Sequence, residues 1–382
     1  MPCTISITRF TDRATPGGSR QGLVEPRRVV ASNKKLLLVG SSVTLATASG
    51  WKLYFSRCRT LSIKKILVYL THPHVEAWNF RPEHKALLES RIPGLKVDVC
   101  LNSKDFRERL PQAEAVIVWV FKQPWLDSAP RLKLIATPAA GNDWIKLESP
   151  ENLKLSFGGF HGTLIAENVI GAMLYFLKAF PLSTKMQEQK KWARVKIAEK
   201  LRSLHNSRVT ILGFGRIGNV IAERLKPFGC TITGIRRNLF PVPRYFSTAD
   251  RIRTFENWQQ IFAQTDHLIC TLPGGEETDG ILKPEHFEAL PKSCYFYNVG
   301  RGNIYQESDL VSALGTGEIA GAYLDVFGEE PLPETSKLWE MENVLIQPHL
   351  SAVSPQYLEL FVEELAASML LDPGSNSFNG EQ

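Results

Sequence analysis

The sequence has few cysteines and no arrangement of them that suits a metal. Six cysteines are spread over 382 residues without a CxxC pair, and the eight histidines form no cluster with zinc-ligand spacing. We therefore expect no metal site of these residue types. Scattered cysteines are typical of small buried residues in a reducing compartment, so they favour a cytoplasmic protein.

Long apolar runs are missing as well. The longest apolar segment, residues 36–50, is interrupted by serine and threonine and is short for a transmembrane helix. We expect no stable membrane insertion.

Acidic residues are scarce in the first part of the chain. Residues 1–65 contain twelve Lys and Arg but only Asp12 and Glu25, so the remainder is slightly acidic despite an overall net charge of +6. The body of the chain therefore has no charge pattern that indicates nucleic-acid binding. For residues 1–62 we favour an organelle-targeting segment or a disordered extension, with a signal or weak membrane anchor as the third interpretation.

Beyond residue 62, strand-like and helix-like segments alternate, which predicts parallel sheets with helices on their faces. In the first lobe we predict strands at 66–70, 97–100, 115–120 and 132–137. The second alternation begins at 209 and contains strands at 209–212, 231–235, 268–271, 295–298, 321–325 and 344–347. The predicted helices are 82–91, 104–110, 124–129, 164–177, 219–228 and 355–371, and residues 373–382 are predicted to be disordered.

A glycine-rich turn follows the strand at 209–212 and indicates a dinucleotide site. In GFGRIG, Gly213 permits the tight turn, Gly215 lets the backbone approach a pyrophosphate, and Gly218 lets the next helix pack closely on the sheet. The amino end of that helix favours phosphate binding.

The end of the following strand indicates which dinucleotide binds. An NAD site needs Asp or Glu there to accept a hydrogen bond from the ribose 2′-hydroxyl, whereas a 2′-phosphate needs Arg. The chain has Arg236 and Arg237, and it has no carboxylate between Glu223 and Asp250. These residues favour NADP(H), with NAD(H) as the alternative.

Three polar residues that follow predicted strands can meet at the ligand-binding edge of the second sheet. They are Arg301, Glu330 and His349. Arg301 would bind a substrate carboxylate and polarise the carbonyl, and His349 would donate a proton to the developing alkoxide. Glu330 would orient the imidazole and raise its pKa. This set suits reduction of a 2-oxo acid.

The chain resembles the D-isomer-specific 2-hydroxyacid dehydrogenases from about residue 65 to residue 371. The matching segments occur in the family's order: 140–143 (AGND), 166–168 (AEN), 213–218 (GFGRIG), 270–273 (CTLP), 298–302 (NVGRG), 324–331 (LDVFGEEP) and 348–352 (PHLSA). Within the family, the branch of glyoxylate and hydroxypyruvate reductases is the most similar.

The resemblance implies an α/β fold with two doubly wound parallel-sheet lobes, a Rossmann-type cofactor lobe being inserted into a flavodoxin-like substrate lobe. It implies a substrate lobe over 63–162, completed by 352–372, a cofactor lobe over 163–351, and a homodimer. It also implies catalytic roles for Arg301, Glu330 and His349, and substrate binding by these Arg and His side chains and by the backbone near Ala140 and Gly141. The cofactor residues that it adds are Arg216, Ile217, Leu272, Pro273, Val299 and Asp325.

Two features leave alternatives open. The family often has an acid where Arg236 stands, and Gly274-Gly275 replaces a more usual Thr-Pro after Pro273. Lys122 is a candidate contact for a second acidic group on the substrate, with loop packing as the alternative.

Our main hypothesis is an NADPH-dependent reductase of a small 2-oxo acid. The alternative is a dinucleotide-sensing, corepressor-like interaction protein on the same scaffold.

Overall fold

The computed structural model describes residues 63–370 except positions 142–144, 146, 149, 151 and 257. The chain divides into two units, Met1–Thr60 and Leu61–Gln382, and every described residue belongs to the second. Our expectations for residues 1–62 and 373–382 therefore lie outside the described residues.

The first sheet has five parallel strands in the order β2-β1-β3-β4-β5. This is the flavodoxin-like order of a doubly wound sheet. Its core strands are short and apolar; all four residues of β3 (AVIV) are buried. The elements are β1 Lys65–Tyr69, α1 Pro82–Arg91, β2 Lys96–Val99, α2 Ser103–Arg109, β3 Ala115–Val118, α3 Gln123–Asp127, β4 Leu134–Thr137 and β5 Lys154–Phe157.

The second lobe begins with α4 His161–Leu177, α5 Phe180–Glu188 and α6 Arg194–Ala198. Seven parallel strands follow, with connecting helices between most of them. These elements are β6 Arg208–Leu212, α7 Arg216–Leu225, β7 Thr231–Ile235, β8 Arg251–Arg253, α8 Trp258–Phe262, β9 His267–Cys270, α9 Pro284–Glu288, β10 Tyr295–Asn298, α10 Glu307–Thr316, β11 Gly321–Leu324 and β12 Val344–Ile346.

The seven strands have the order β12-β11-β10-β9-β6-β7-β8. We number the strands of this lobe from 1 for β6 to 7 for β12. Read across the sheet from β8 to β11, they then have the Rossmann order 3-2-1-4-5-6, and β12 adds a seventh strand at the edge. The chain order reverses between β6 and β9, which is the topological switch point where ligands bind in such sheets. The predicted fold class is confirmed.

The last helix, α11 Tyr357–Leu370, returns to the first sheet. Its buried Leu358 and Phe361 belong to one hydrophobic cluster with Ile66 of β1 and Leu88 of α1. Four buried cysteines, Cys100, Cys230, Cys270 and Cys294, are free thiols, as expected for small hydrophobic residues. Burial raises the pKa of the Cys270 thiol to about 12.

No single helix in the described part of the chain is both long and apolar enough to cross a membrane. Helices α4 and α5 meet the length and composition only as a pair, and a 60° bend separates them.

Candidate active site

The glycine turn between β6 and α7 has the backbone geometry that its sequence requires. Gly213 has φ +88°, and a Cβ there would lie 2.8 Å from the backbone N of Leu272. At Gly218 a Cβ would lie 3.0 Å from Ile211 Cγ2, so the glycine permits close packing of helix on strand. Around Gly215 the nearest atom to such a Cβ is 3.9 Å away. The turn is therefore closely packed on the inside and open at its middle glycine.

These residues fit a dinucleotide pyrophosphate. Helix α7 begins directly after Gly215, and no side chain caps its amino end. The first N–H groups of the helix are consequently available to an anion. The Thr271 hydroxyl donates to the Gly213 carbonyl at 2.6 Å and ties the turn to the end of β9.

The other predicted cofactor residues surround this turn in different environments. Arg216 is exposed, and its Nη1 lies 2.7 Å from where a Cβ of Gly159 would be, close to Glu364. Ile217 is half-buried, Leu272 and Val299 are buried, and Pro273 is exposed. Leu272 follows β9 and Val299 follows β10, so both lie at the carboxyl edge of the sheet.

Arg236 and Arg237 follow β7 at the same edge. The Arg236 guanidinium stands over the Phe214 ring, 5.9 Å from its centroid. Arg237 is exposed and forms an ion pair with Glu277, with Nη1 and Oε2 3.2 Å apart. Two cations therefore stand where a Rossmann lobe distinguishes its two cofactors.

The Arg301 loop is built by Asn298 at the end of β10. The Asn298 side chain accepts from the N–H of Gly300 at 3.1 Å and donates to the carbonyl of Arg301 at 3.0 Å. A Cβ at Gly302 would lie 1.9 Å from the carbonyl carbon of Phe327, so only glycine fits this backbone crossing. The loops after β10 and β11 are thus fixed against each other.

Glu330 and His349 form a hydrogen-bonded pair, with Nδ1 of the histidine 2.8 Å from Oε2 of the carboxylate. The other carboxylate oxygen accepts from the N–H of Phe327 at 3.0 Å. The bond to Glu330 raises the pKa of His349, against partial desolvation, and the charges of Glu330 and Asp325 add to the rise. Desolvation raises the pKa of Glu330, but hydrogen bonds from His349 and Phe327 outweigh it, so this pKa is lowered.

Asp325 holds the backbone that carries His349. His349 has φ +55°, a left-handed conformation that is uncommon outside glycine. Its N–H donates to the Asp325 carbonyl at 2.9 Å, and the buried Asp325 carboxylate accepts from the N–H groups of Leu350 and Ser351 and from the Ser351 hydroxyl. Burial raises the pKa of this carboxyl although the hydrogen bonds oppose it. Asp325 therefore fixes the position of the imidazole.

The structure brings Arg301, Glu330 and His349 to one edge of the sheet, because β10, β11 and β12 are adjacent and parallel. The positive charge of Arg301 contributes to the lowered pKa of Glu330 and partly offsets the rise in the pKa of His349. This arrangement can bind an anion through Arg301 and transfer a proton from the imidazole.

The predicted substrate-binding residues of the first lobe lie beyond its strands. Ala140 is exposed and Gly141 is partly exposed just beyond β4, while Asn142 and Asp143 lie outside the described residues. Lys122 is exposed at the start of α3.

Sequence reasoning did not identify the buried pair His161 and Tyr357, whose Nε2 and hydroxyl oxygen are 2.9 Å apart. Burial, together with the positive charges of Arg216 and Arg301, lowers the pKa of His161 to about 4. Sequence reasoning also missed the supporting roles of Asn298 and Ser351, although both residues lie in segments that match the family. Among the residues that the structure describes, no group of three or more His, Cys, Asp and Glu side chains could hold a metal ion.

The chain is similar to several known proteins. Residues 170–351 match the family model of the D-isomer specific 2-hydroxyacid dehydrogenase, NAD binding domain. The glyoxylate/hydroxypyruvate reductase A of Salmonella heidelberg (strain SL476) is 31% identical over 297 residues, covering 74% of this chain and 88% of that protein.

Two solved structures are similar over most of their length. The NADPH-dependent glyoxylate/hydroxypyruvate reductase of Sinorhizobium meliloti, in complex with NADP and sulfate, is 25% identical with a TM-score of 0.64, covering 80% of this chain and 94% of that one. A D-isomer specific 2-hydroxyacid dehydrogenase of Xanthobacter autotrophicus Py2, in complex with NADPH and MES, is 26% identical with a TM-score of 0.63, covering 81% and 95%.

Proposed function

The chain belongs to the D-isomer specific 2-hydroxyacid dehydrogenase family, and from this membership we propose that it reduces glyoxylate or hydroxypyruvate to the D-2-hydroxy acid with NADPH. It is an NAD(P)-dependent enzyme of the glyoxylate/hydroxypyruvate reductase type. The observation that carries the mechanism is the 2.8 Å bond between His349 Nδ1 and Glu330, on the same edge as Arg301.

The proton donor follows from that bond. Because Nδ1 of His349 donates to Glu330, Nε2 is the ring nitrogen that can give a proton to substrate. When bound, the reduced nicotinamide supplies the hydride that adds to the carbonyl carbon. His349 then neutralises the negative charge that develops on the carbonyl oxygen.

Arg301 would bind the substrate carboxylate through two parallel N–H bonds and polarise the adjacent carbonyl. The backbone near Ala140 and Gly141 would hold the carboxylate from the first lobe. Glu330 keeps the imidazole oriented, and Asp325 fixes the loop on which the imidazole stands.

Both the sequence and the similar structures support NADP(H) as the cofactor. Arg236 and Arg237 stand at the end of β7, and no carboxylate lies between Glu223 and Asp250 to accept from a ribose hydroxyl. The reductase of Sinorhizobium meliloti is described as NADPH-dependent, and two similar structures contain NADP or NADPH.

The function is tested by initial rates with NADPH and with NADH against glyoxylate, hydroxypyruvate, pyruvate, phenylpyruvate and 2-oxoglutarate. We expect the highest kcat/KM for glyoxylate or hydroxypyruvate with NADPH. Cofactor binding without turnover on any of these acids would contradict the reductase and favour the dinucleotide-sensing alternative.

The mechanism is tested by His349→Asn and Arg301→Ala. Loss of the proton donor should lower kcat by about 10²- to 10⁴-fold while cofactor affinity stays nearly unchanged. Loss of Arg301 should abolish activity chiefly through substrate positioning, so a wild-type KM in that variant would contradict its role.

A further inference from the structure

The two arginines after β7 are held in different ways. Nη2 of Arg236 donates to the carbonyl of Leu239 at 3.4 Å and to the carbonyl of Pro241. Its Nε is buried without a hydrogen-bond partner among the described residues, and burial lowers the pKa of the guanidinium. With its stacking on Phe214, Arg236 is largely committed to the structure of its own loop.

Arg237 is in contrast solvent-exposed, and its counter-charge comes from another loop. Glu277 lies in the segment after β9, and its carboxylate is 3.2 Å from Nη1 of Arg237. The side chains are 55% and 79% exposed, so water screens the ion pair and its stabilising contribution is small. The arginine can therefore exchange this partner for another anion at little cost.

The ion pair crosses the dinucleotide crevice. In the sheet, β6 lies between β9 and β7, and β6 leads directly into the glycine turn. The loops that carry Glu277 and Arg237 consequently flank that turn at the carboxyl edge of the sheet. In a Rossmann lobe the end of the second strand, here β7, recognises the 2′ position of the ribose.

We propose that Glu277 is a specificity-determining residue that limits the preference for NADP(H) over NAD(H). The inference deepens the proposed function and rests on it. A 2′-phosphate carries a charge of about −1.5 to −2 near neutral pH and would compete with the Glu277 carboxylate for Arg237. The 2′-hydroxyl of NAD(H) carries no charge, so Glu277 opposes binding of the phosphorylated cofactor only.

The test is calorimetric titration of the full-length protein with NADP⁺, NAD⁺, 2′,5′-ADP and 5′-AMP. Glu277→Gln removes the competing charge but keeps the shape of the side chain. We expect this variant to bind NADP⁺ and 2′,5′-ADP about two- to fivefold more tightly, with NAD⁺ and 5′-AMP unchanged. High ionic strength should reduce the difference.

The matched control is Glu276→Gln, which makes the same change of charge at the neighbouring exposed position. It should change the ratio of the NADP⁺ and NAD⁺ dissociation constants much less. In a chain that already carries Arg237→Gln, the Glu277→Gln change should have no further effect, because the two residues act as a pair.

The outcomes separate this proposal from the proposed function. An unchanged ratio in Glu277→Gln, or an equal effect in Glu276→Gln, overturns the role of Glu277 even when the wild-type protein binds NADP⁺ tightly. Wild-type protein that binds NAD⁺ but neither NADP⁺ nor 2′,5′-ADP contradicts the cofactor preference itself.

Discussion

At the scale of single residues, the chemistry depends on how His349 is held. Asp325 fixes its backbone and Glu330 fixes its ring. The position of His349 and the protonation of its imidazole therefore depend on two different carboxylates. Glu330 has a side chain that is 37% exposed, and Asp325 is almost fully buried. The partly exposed Glu330 carboxylate can pair with the imidazole when the ring becomes charged. The buried Asp325 carboxylate holds the loop that carries the ring.

The pH profile should report on the pair of His349 and Glu330. The pKa of His349 is raised from its ordinary value of 6.5, mainly by its bond to Glu330. Reduction needs the imidazolium, so its rate should fall as pH rises through the raised pKa, whereas oxidation should rise over the same range. Glu330→Gln should move both limbs to lower pH, as measured by kcat/KM profiles in the two directions.

The control for this profile is Glu329→Gln, which removes the same charge from the adjacent exposed position. Its limbs should stay close to those of the wild-type protein. Equal shifts in the two variants would mean that general surface charge, and not the hydrogen bond, sets the pKa of His349.

Gly302 is a second residue with a precise steric requirement. In Gly302→Ala the new Cβ would lie 1.9 Å from the carbonyl carbon of Phe327 and 2.4 Å from the N of Gly328. The backbone leading to Glu330 would have to move. We therefore expect the free energy of unfolding to fall by about 3 kcal/mol or more, and kcat to fall strongly. Thermal unfolding and initial rates check this expectation.

Gly315→Ala is the comparison for that variant. Gly315 lies in α10, and beyond its chain neighbours and the backbone of its own helix no heavy atom of the described residues is within 4 Å of where its Cβ would be. The change should stabilise the protein by about 0.5–1 kcal/mol because alanine is the better helix former. Similar losses in both variants would contradict a specific backbone contact at Gly302.

At the scale of elements, α4 and α11 meet where the chain passes from the first sheet to the second. Glu364 of α11 accepts from the N–H of Gly159 at 2.7 Å and of Phe160 at 3.2 Å, immediately before α4. A carboxylate there accepts hydrogen bonds from the amides that precede the helix. Its negative charge also interacts favourably with the positive end of the helix dipole.

Glu364→Ala should therefore destabilise the protein by about 1 kcal/mol, a cost similar to the loss of a helix cap. Chemical denaturation at equilibrium measures the change. Glu363→Ala on the same helix removes an exposed ion pair with Arg91 and should have a smaller effect. An equal effect of the two substitutions would contradict the proposed contribution of the Glu364 hydrogen bonds.

The accuracy of element prediction followed the strength of the local pattern. The buried strands of both sheets were predicted within one to a few residues, because apolar runs bounded by turns are a local signal. Helix α7 starts at Arg216 instead of 219, since the helix begins within the glycine turn itself. Gly229, with φ +75°, ends a 3₁₀ turn that follows α7.

Several elements were not predicted. Strand β5 has no buried residue and β8 has only three residues, so neither gives a periodic apolar pattern. The Lys-rich stretch after α4 contains α5 and α6, which together bury only Met186. Helix α10 was not predicted either, although its apolar residues and the glycine that ends it are a local signal. The remaining unpredicted elements are α8 and α9.

At the scale of the whole molecule, each of the two sheets packs against hydrophobic clusters of its own. Described residues between Ile63 and Met369 form four such clusters. The similar solved structures cover 80–81% of this chain. Targeting or extension by residues 1–62, a cytoplasmic location and the homodimer stay predictions.

A chain that begins at Ile63 should keep the wild-type turnover to within about twofold, because both described sheets and all the proposed site residues follow residue 62. Initial rates and thermal unfolding of the shortened protein check this. A chain that begins at Thr71 is the comparison, since it lacks β1, which pairs with both β2 and β3, and should not fold. Loss of turnover in the chain that begins at Ile63 would show that residues 1–62 contribute to the enzyme.

The sequence alone determined the fold class, the dinucleotide turn and the order of Arg301, Glu330 and His349 along the chain. Those features depend on local patterns: apolar periodicity, glycine at a strained turn, and polar residues directly after strands. Only the tertiary structure decided which ring nitrogen of His349 pairs with Glu330, that Asp325 holds the following loop, and that Arg237 pairs with Glu277. Each of these contacts joins residues that are distant in sequence, and a side chain's partner depends on which loops the strand order brings together.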